Sequence, residues 1–450
     1  MNNLSSASEY GLQMAAEIIR SAQKVAEQAE VFMVSSRATP IQFEANRLRQ
    51  VQTKERASVA LRIFREGKIG LSTASGGDDD MEALLGMAVE TSQFGLSVNF
   101  QFPSYKEFPK VSILDPEIEK MAMKKMVEFG EELIARIREH APEILCDVEI
   151  TKGTSSVYII NSQGGEACYG KSFFSLGVEG VQVRDTDMLF VGDGECSCRL
   201  PSSVDILADR VIWQLEMAKE KAAVSTGSLP VIFTPRGVAS ALLSPIVMAL
   251  NGKTVFEGAS PLKDKLGEQV FDKGISLWDD ATIAYSVGSS PCDDEGMPSQ
   301  RLPLVTNGVV SNFMYDLRTA ASAGTQSTGN GRRAGGSFPM PAISSLILDE
   351  GEVTFEAMVK DVEEGLVVEQ LIGADQGNIL SGDFGGNVLL GYKIEKGRIV
   401  GRVKDTMIAG NVYQVLRELL GIGREAEWVG GILRSPALYC PRVSVTAKGN

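Results

Sequence analysis

The chain has 450 residues with a single histidine, and its 44 lysines and arginines against 58 aspartates and glutamates give a formal net charge of −14. An apolar share of 44% and a charged share of 23% are ordinary for a globular protein. The lone histidine, His140, excludes a His-rich metal site, and the acidic balance argues against a broad nucleic-acid surface, which needs a basic stripe to displace counterions.

The first half of the chain predicts helices that pack on strands. Apolar residues recur at i, i+3 and i+4 from Ala15 to Ala29, which is the pattern of one helical stripe. A glycine-containing turn at 66–68 joins two alternating runs and predicts a β-hairpin. Pro116 fits the first turn of a long helix over residues 117–140, because a proline there gives up no helical hydrogen bond.

Strand patterns replace helical ones in the middle of the chain. Residues 146–200 contain β-rich runs broken by glycines, and a helix over about 204–224 follows. The segment STGSLP at 225–230 resembles a linker, so we predict a domain boundary there. The predicted domains are an N-terminal α+β domain over residues 1–224 and a C-terminal domain over residues 225–450.

The second half predicts mainly short strands. After a strand at 231–233 and an apolar helix over about 236–250, strand patterns include residues 282–287 and a hairpin over 388–403. Because helices and antiparallel strands occur without regular βαβ alternation, the predicted fold class is α+β. We expect N-terminal helices packed on an antiparallel sheet and an antiparallel β-rich C-terminal domain with few helices.

Most sequence motifs that carry chemistry are absent. The chain has neither a G-x-G-x-x-G motif that opens a helix after a strand nor a G-x-S-x-G nucleophile elbow. His140 ends a charged helix, where a cation complements the helix dipole, so a structural role is favoured. Cys196 and Cys198 offer two thiolates, but their spacing matches no standard zinc knuckle, and structural thiols are the favoured interpretation.

Three glycine-rich segments occur in the second half, at 326–337, 380–387 and 408–411. Glycine permits close backbone approach, so these segments can line a groove that holds an extended peptide by main-chain hydrogen bonds. Tight turns between strands remain the alternative interpretation. Arg332 and Arg333 can pair with carboxylates, although surface arginines need no function. The candidate groove residues are Thr328, Asn330, Gly382, Asp383 and Asn411.

At these segments the chain resembles the TldD/PmbA family, also called modulators of DNA gyrase. The resemblance is carried by STGNG (327–331), SGDFGGN (381–387), YKIEKGRI (392–399), DTMIAGNVYQVL (405–416) and the N-terminal hairpin at 59–75. These motifs occur in the family's order over nearly the whole chain. The resemblance implies two α+β domains, the second rich in antiparallel strands.

The family has two branches, and the resemblance places this chain in the one without a metal site. The TldD branch carries H-E-x-x-x-H on a helix, with a downstream cysteine as a further zinc ligand, and its glutamate can activate the bound water. At the matching positions this chain has Ser244, Pro245 and Ala249, and the cysteine position falls near Gly430. The resemblance therefore implies the PmbA branch, also called TldE, with no catalytic or metal-binding residue in this chain.

The resemblance implies a non-catalytic, metalloprotease-like subunit that pairs with a TldD-type zinc peptidase to bind and process unfolded peptides. Zinc and the water-activating glutamate are then expected in the partner, and no cofactor in this chain. Six cysteines are too few for a disulfide scaffold, which indicates reduced thiols in a cytoplasm. No apolar run reaches the length of a membrane span, so no membrane contact is expected.

Three other functions stay open at this point. The chain can be an independent peptide-binding or scaffold homodimer without protease activity. It can be a hydrolase whose chemistry has moved to Ser381 and Asp383, although no base stands at motif spacing. Direct DNA contact, taken from the gyrase name, is disfavoured by the acidic charge.

Overall fold

A computed structural model of the chain describes residues 2–76, 81–97, 99–184, 187–334, 336–374 and 376–447, without the side chains of residues 2–10 and 184. Within these residues the first half of the chain folds into α1 (Asn2–Ala22), β1 (Gln28–Glu44), β2 (Arg47–Val51), β3 (Lys54–Arg65), β4 (Lys68–Ser75), α2 (Met81–Gln93), α3 (Pro116–Lys120), α4 (Met123–His140), β5 (Leu145–Asn161), β6 (Glu166–Arg184), β7 (Asp187–Ser197) and α5 (Asp205–Met217).

The described part of the second half has more and shorter elements. They are β8 (Gly227–Phe233), α6 (Pro235–Ala241), α7 (Leu243–Ala249), α8 (Gly252–Phe256), β9 (Leu277–Asp280), β10 (Arg301–Thr306), β11 (Val309–Val310), α9 (Leu317–Ala323), β12 (Gly331–Arg332), β13 (Met340–Pro341), β14 (Leu346–Leu348), α10 (Phe355–Asp361), β15 (Glu364–Ile372), the 3₁₀ helix η1 (Ile379–Ser381), β16 (Asp383–Glu395), β17 (Arg398–Arg402), β18 (Thr406–Asn411), α11 (Val412–Val415), β19 (Gly421–Val429) and β20 (Leu433–Ala447).

The first sheet is antiparallel, with strand order β4-β3-β1-β5-β6-β7 and β2 paired to β1. The hairpin predicted at 66–68 is confirmed. Arg65 pairs with Lys68, and the two turn residues Glu66 and Gly67 have positive φ angles of 52° and 73°. Such a turn follows the right-handed twist of the strands that it joins.

Helices cover the first sheet at two places. α1 and α2 pack on β1 and β3, and α4 packs on β5 and on α5. The buried residues of α4 recur at helical spacing, at Met126, Phe129, Leu133 and Ile137, and this stripe explains why the segment docks as a helix.

The second sheet runs in the order β11-β10-β9-β14-β20-β18-β16-β15-β8, with β17 on β16 and β19 on β20. β8 also pairs with β20, so the strand that opens this half is held by β15 and by the last strand. Two of the pairings, β14 with β20 and β15 with β8, are parallel, and the others are antiparallel.

One of the apolar cores joins the two halves. It contains Ile41 and Leu176 of the first sheet together with Ile232, Val367 and Tyr439 of the second. The predicted α+β class, with antiparallel sheets in both halves, is confirmed. The boundary between residues 224 and 225 stays a prediction, and the predicted linker is mostly strand, because β8 begins at Gly227.

Several predicted elements differ from the structure for local reasons. The helix predicted over 117–140 is interrupted between α3 and α4, where Met121 has an extended ψ of 122°. The helix predicted over 236–250 breaks at Leu242, because the Pro245 ring would clash with the carbonyl four residues earlier in a continuous helix.

Two further predicted elements are wrong. Residues 282–287 form turns rather than a strand for two reasons. The Asp280 carboxylate accepts hydrogen bonds from the backbone N–H and from the hydroxyl of Thr282. In addition, Tyr285 adopts a positive φ of 62°. The helix predicted over 204–224 ends earlier, at Met217. Among the described residues no helix combines the length and apolar character needed to cross a membrane.

Candidate functional site

The three positions that correspond to H-E-x-x-x-H lie on the short helix α7. Ser244 is exposed, whereas Pro245 is buried and Ala249 is only 2% exposed. Ser244 therefore faces solvent, whereas the side chain at position 249 packs into the core.

The side chains at these positions do not fit a zinc ion. Proline and alanine carry no donor atom, and the neutral serine hydroxyl is a poor substitute for imidazole. Gly430 lies in the turn between β19 and β20 with a φ of 59° and offers no side chain either. Within the described ranges no group of three or more His, Cys, Asp or Glu residues is arranged to hold a metal ion.

Cys440 does not replace the missing ligand. It lies on β20 opposite Val231 of β8 and is fully buried. Burial raises the pKa of its thiol far above the usual range, so the thiolate that a metal requires is disfavoured.

The segment SGDFGGN brings three of the candidate groove residues together. The Asn411 side-chain amide donates to Asp383 Oδ1 and to the Ser381 carbonyl, both at 2.9 Å. Gly382 stands between them with a φ of 89°, and its carbonyl accepts the Val412 N–H at 2.8 Å. Helix α7 packs against η1, which ends at Ser381, so this cluster lies beside the degenerate metal-site helix.

The same contacts argue against relocated hydrolytic chemistry. The hydrogen bonds from Asn411 and from the Ser381 hydroxyl, whose oxygen lies 3.0 Å from Asp383 Oδ2, hold the pKa of Asp383 below its usual range. A carboxylate with a lowered pKa is a weaker base, and it is ill suited to remove a proton from a serine hydroxyl.

The other two candidate groove residues belong to a buried polar network. Thr328 Oγ1 accepts the Tyr315 N–H at 2.7 Å and lies 2.7 Å from Asn330 Oδ1. The Asn330 amide donates to Asp279 Oδ2 at 2.6 Å, and Asn330 is only 1% exposed. In the described part of the chain no hydrogen bond joins this pair to Gly382, Asp383 or Asn411. The candidate residues therefore form two groups, and Thr328 and Asn330 have internal structural partners.

A charged network that the sequence did not reveal connects the two halves. Arg62 on β3 donates to Glu30 Oε2 at 2.6 Å and to Glu295 Oε1 at 2.7 Å, and Arg333 donates to Glu30 Oε1 at 3.0 Å. All four side chains are at most 1% exposed. The interpretation of Arg333 as a surface residue is wrong, because its side chain is buried. Its carboxylate partner, Glu30, lies on β1, 303 residues earlier in the chain.

The remaining chemistry-bearing residues have structural surroundings. His140 Nε2 lies 2.7 Å from Glu216 Oε1 and so links α4 to α5. Burial raises the pKa of the Cys196 thiol and raises that of Cys198 to about 11. Both cysteines are therefore held as neutral thiols near neutral pH, as the structural interpretation expects.

Comparison with known proteins gives consistent matches along most of the chain. The family model of the PmbA/TldA metallopeptidase C-terminal domain matches residues 226–447, and the model of PmbA/TldA metallopeptidase domain 1 matches residues 29–92. An uncharacterized protein of Methanocaldococcus jannaschii is 26% identical over 415 residues, which are 90% of this chain and 93% of that protein.

Two further relatives cover similar shares of the chain. A protein named metalloprotease from Methanothermobacter thermautotrophicus is 24% identical over 417 residues, which are 89% of this chain and 88% of that protein. The crystal structure of TldE from Thermococcus kodakarensis superimposes with a TM-score of 0.87 at 21% identity, covering 96% of this chain and 99% of that chain. This likeness shows a shared fold.

Proposed function

The chain belongs to the TldD/PmbA metallopeptidase family, and from that premise we propose that it is a non-catalytic subunit that pairs with a TldD-type zinc peptidase. The observation that carries the proposal is the metal site. Ser244, Pro245, Ala249 and Gly430 provide no strong zinc ligand and no carboxylate to activate water.

The fold comparison is compatible with this proposal. One solved structure that superimposes over 96% of this chain is named TldE, which is also the name of the branch without the metal motif. A chain that keeps the fold of a peptidase family without its metal ligands retains the surfaces for substrate and partner. In the proposed pair, the partner supplies the zinc ion and the glutamate, and this chain shapes the chamber and binds unfolded peptide.

The cluster beside α7 is the part of this chain that we assign to peptide contact. Gly382, Asp383 and Asn411 lie next to the helix that holds the metal in the other branch. Asp383 is exposed and ionised, and the neighbouring glycines let an extended main chain approach closely.

We propose a cytoplasmic location for the pair.

The pairing is tested by mixing the purified chain with a TldD homologue from the same organism. We expect light scattering after gel filtration to show a complex larger than either protein alone. Metal analysis of the separate proteins is expected to find zinc in the homologue only.

Two outcomes contradict the proposal. One is stoichiometric zinc in this chain alone. The other is a homodimer of this chain that ignores the homologue, and this outcome would support the alternative of an independent peptide-binding or scaffold dimer.

A further inference from the structure

A cavity of about 640 Å³ lies where the two halves of the chain meet. Its first-half wall is the exposed side of α5 and the end of β7, with Trp213 and Asp193. The second-half wall comes from the start of α6, from α10, and from β15 and β19, with Glu369 at its base. The Gly382 cluster is not part of this lining.

The cavity is strongly acidic. Six carboxylates and two arginines line it. Both arginines already have partners, because Arg210 lies 3.3 Å from Asp193 Oδ2 and 3.1 Å from Glu427 Oε2, and Arg236 lies 3.3 Å from Asp193 Oδ1. Among the described residues Glu369 and Glu356 form no ion pair, so the cavity has unbalanced negative charge.

A buried carboxylate faces the cavity without an ion-pair partner in the described part of the chain. Glu369 is only 7% exposed, and its side chain has a hydrogen bond with Gln214. Behind the lining residue Trp213, the ring of the fully buried Tyr392 lies edge-on, with the two ring centroids 5.5 Å apart. A buried carboxylate such as Glu369 usually has a counter-charge or a donor.

Aromatic side chains complete the wall around this carboxylate. Trp213 and Phe355 both line the cavity, and their ring centroids are 6.3 Å apart in an edge-to-face arrangement. A long basic side chain can pack its methylene groups on such rings and place its cationic end near a π face.

We propose that this cavity binds the side chain of a lysine or arginine in a peptide, with Glu369 as the carboxylate partner of the cation. The inference rests on the proposed function in peptide binding and adds the substrate class, which is basic peptides. A free polyamine presents the same alkylammonium chemistry, so the experiment compares the two sources.

The titration of Glu369 provides a second, independent readout. Burial raises the pKa of Glu369 to about 7. The charged and polar groups that face it from the packed elements are Asp193, Gln214, Arg236, Tyr392 and Glu427. Because a cation stabilises the ionised carboxylate, affinity for a lysine peptide should increase between pH 6 and pH 8, with proton release on binding near pH 7.

The test is calorimetric titration of the full chain with the peptide acetyl-Gly-Gly-Lys-Gly-Gly-amide. The matched peptide has norleucine in place of lysine, and spermidine is the third probe. We expect the lysine peptide to bind at least about tenfold more tightly than the norleucine peptide, as a charge-assisted hydrogen bond provides. Spermidine binding more tightly than the lysine peptide would overturn the assignment to peptides.

Three variants separate the carboxylate from general effects. Glu369→Gln should weaken lysine-peptide binding by about tenfold or more and abolish its dependence on pH. Glu356→Gln, at the exposed mouth, keeps the fold and should weaken binding by about twofold. Glu131→Gln removes an exposed charge on α4, away from the cavity, and should change nothing.

Unchanged affinity in both cavity variants would overturn the inference. The titration needs no partner, so its result is separate from the pairing experiment. A chain that pairs with the zinc homologue and does not distinguish lysine from norleucine would overturn this inference and leave the proposed function intact.

Discussion

Arg62 joins the two halves through a buried charged network. It bridges Glu30 and Glu295, and its side chain is 1% exposed. Replacing it with methionine keeps much of the volume, leaves the buried Glu295 without its cation, and leaves Glu30 with Arg333 alone. We expect Arg62→Met to lose about 3–5 kcal/mol of unfolding free energy, measured by urea denaturation.

A surface pair is the matched control for Arg62. Arg49 contacts Glu44 at 2.8 Å, but both side chains are more than 60% exposed. Arg49→Met should therefore change the unfolding free energy by less than about 1 kcal/mol. Equal losses in the two variants would show that the buried network does not stabilise the fold.

The raised pKa of Glu369 leads to a prediction about stability as well as one about binding. Its pKa is raised from the ordinary 4.5 to about 7 by burial, so the folded state holds a proton that the unfolded state releases. The stabilisation is present below pH 4.5 and is lost as the pH rises to about 7. Glu369→Gln should therefore be progressively more stable than the parent chain from pH 5 to pH 8, in urea denaturation without peptide.

The control for this pH effect is again Glu131→Gln, whose stability should stay parallel to that of the parent chain at every pH. If the unfolding free energy of Glu369→Gln also ran parallel to that of the parent chain at every pH, this carboxylate would be ionised in the folded protein at pH 5.

For single residues, the sequence is informative where a motif requires a particular residue type at a particular position. The replacement of zinc ligands at Ser244, Pro245 and Ala249 stays a prediction, which rests on the need of a metal site for particular donors at particular spacing. The partners of Arg333 and Glu369 could not be predicted, because they come from strands that only the tertiary fold brings together.

Among the elements, α7 carries the main evidence for the proposal that this chain is not catalytic. Its Ser244 is exposed, its Ala249 is buried in the core, and Gly430 provides no third ligand. We therefore expect the triple variant Ser244→His, Pro245→Glu and Ala249→His to bind zinc no better than the parent chain in calorimetry.

Ala249→His alone tests the packing behind that expectation. An imidazole in place of a buried methyl group should cost about 1–3 kcal/mol of stability through overpacking, whereas the exposed Ser244→His should cost little. Tight zinc binding by the triple variant would contradict this packing, because the imidazole at position 249 would then have to reach a metal from a buried position.

The turn at Gly382 carries a backbone requirement. Its φ is 89°, and an added Cβ would lie 2.3 Å from the Tyr413 ring. Gly382→Ala should cost about 1–3 kcal/mol in urea denaturation, because both the backbone and the neighbouring ring would be strained.

Gly86, in the middle of α2 with open space around it, is the matched control. Gly86→Ala should be neutral or stabilise the chain by up to about 1 kcal/mol. A Gly382→Ala variant as stable as the parent chain would contradict the strained turn.

Elements with strong local signals were predicted well. The hairpin at 66–68 follows from its turn residues, and the helical segment that ends at His140 was predicted, although as one helix from residue 117. The strand predicted at 282–287 failed because the Asp280 side chain makes local hydrogen bonds that compete with strand pairing.

For the whole molecule, the sequence indicated the fold class but not how the halves are joined. Helices and antiparallel strands without regular βαβ alternation were sufficient for α+β. The shared apolar core, with Ile41 and Tyr439 from opposite halves, and the Arg62 network connect residues hundreds of positions apart. Contacts of such long range leave no periodic signal in a single sequence.

For the whole molecule, the net charge bears on which partners the chain can bind. A formal charge of −14 argues against nucleic acid as a partner, and part of it is concentrated in the acidic cavity between the halves. The same charge that disfavours DNA is consistent with the proposed binding of basic peptides.

The most direct test of the central claim is a peptidase assay on an unstructured peptide. Three samples are compared, each with and without a zinc chelator. They are the chain alone, the pair made with a TldD homologue whose catalytic glutamate is changed to glutamine, and the pair made with the unchanged homologue. We predict cleavage only by the unchanged pair, abolished by the chelator. Chelator-sensitive cleavage by this chain alone would contradict the account.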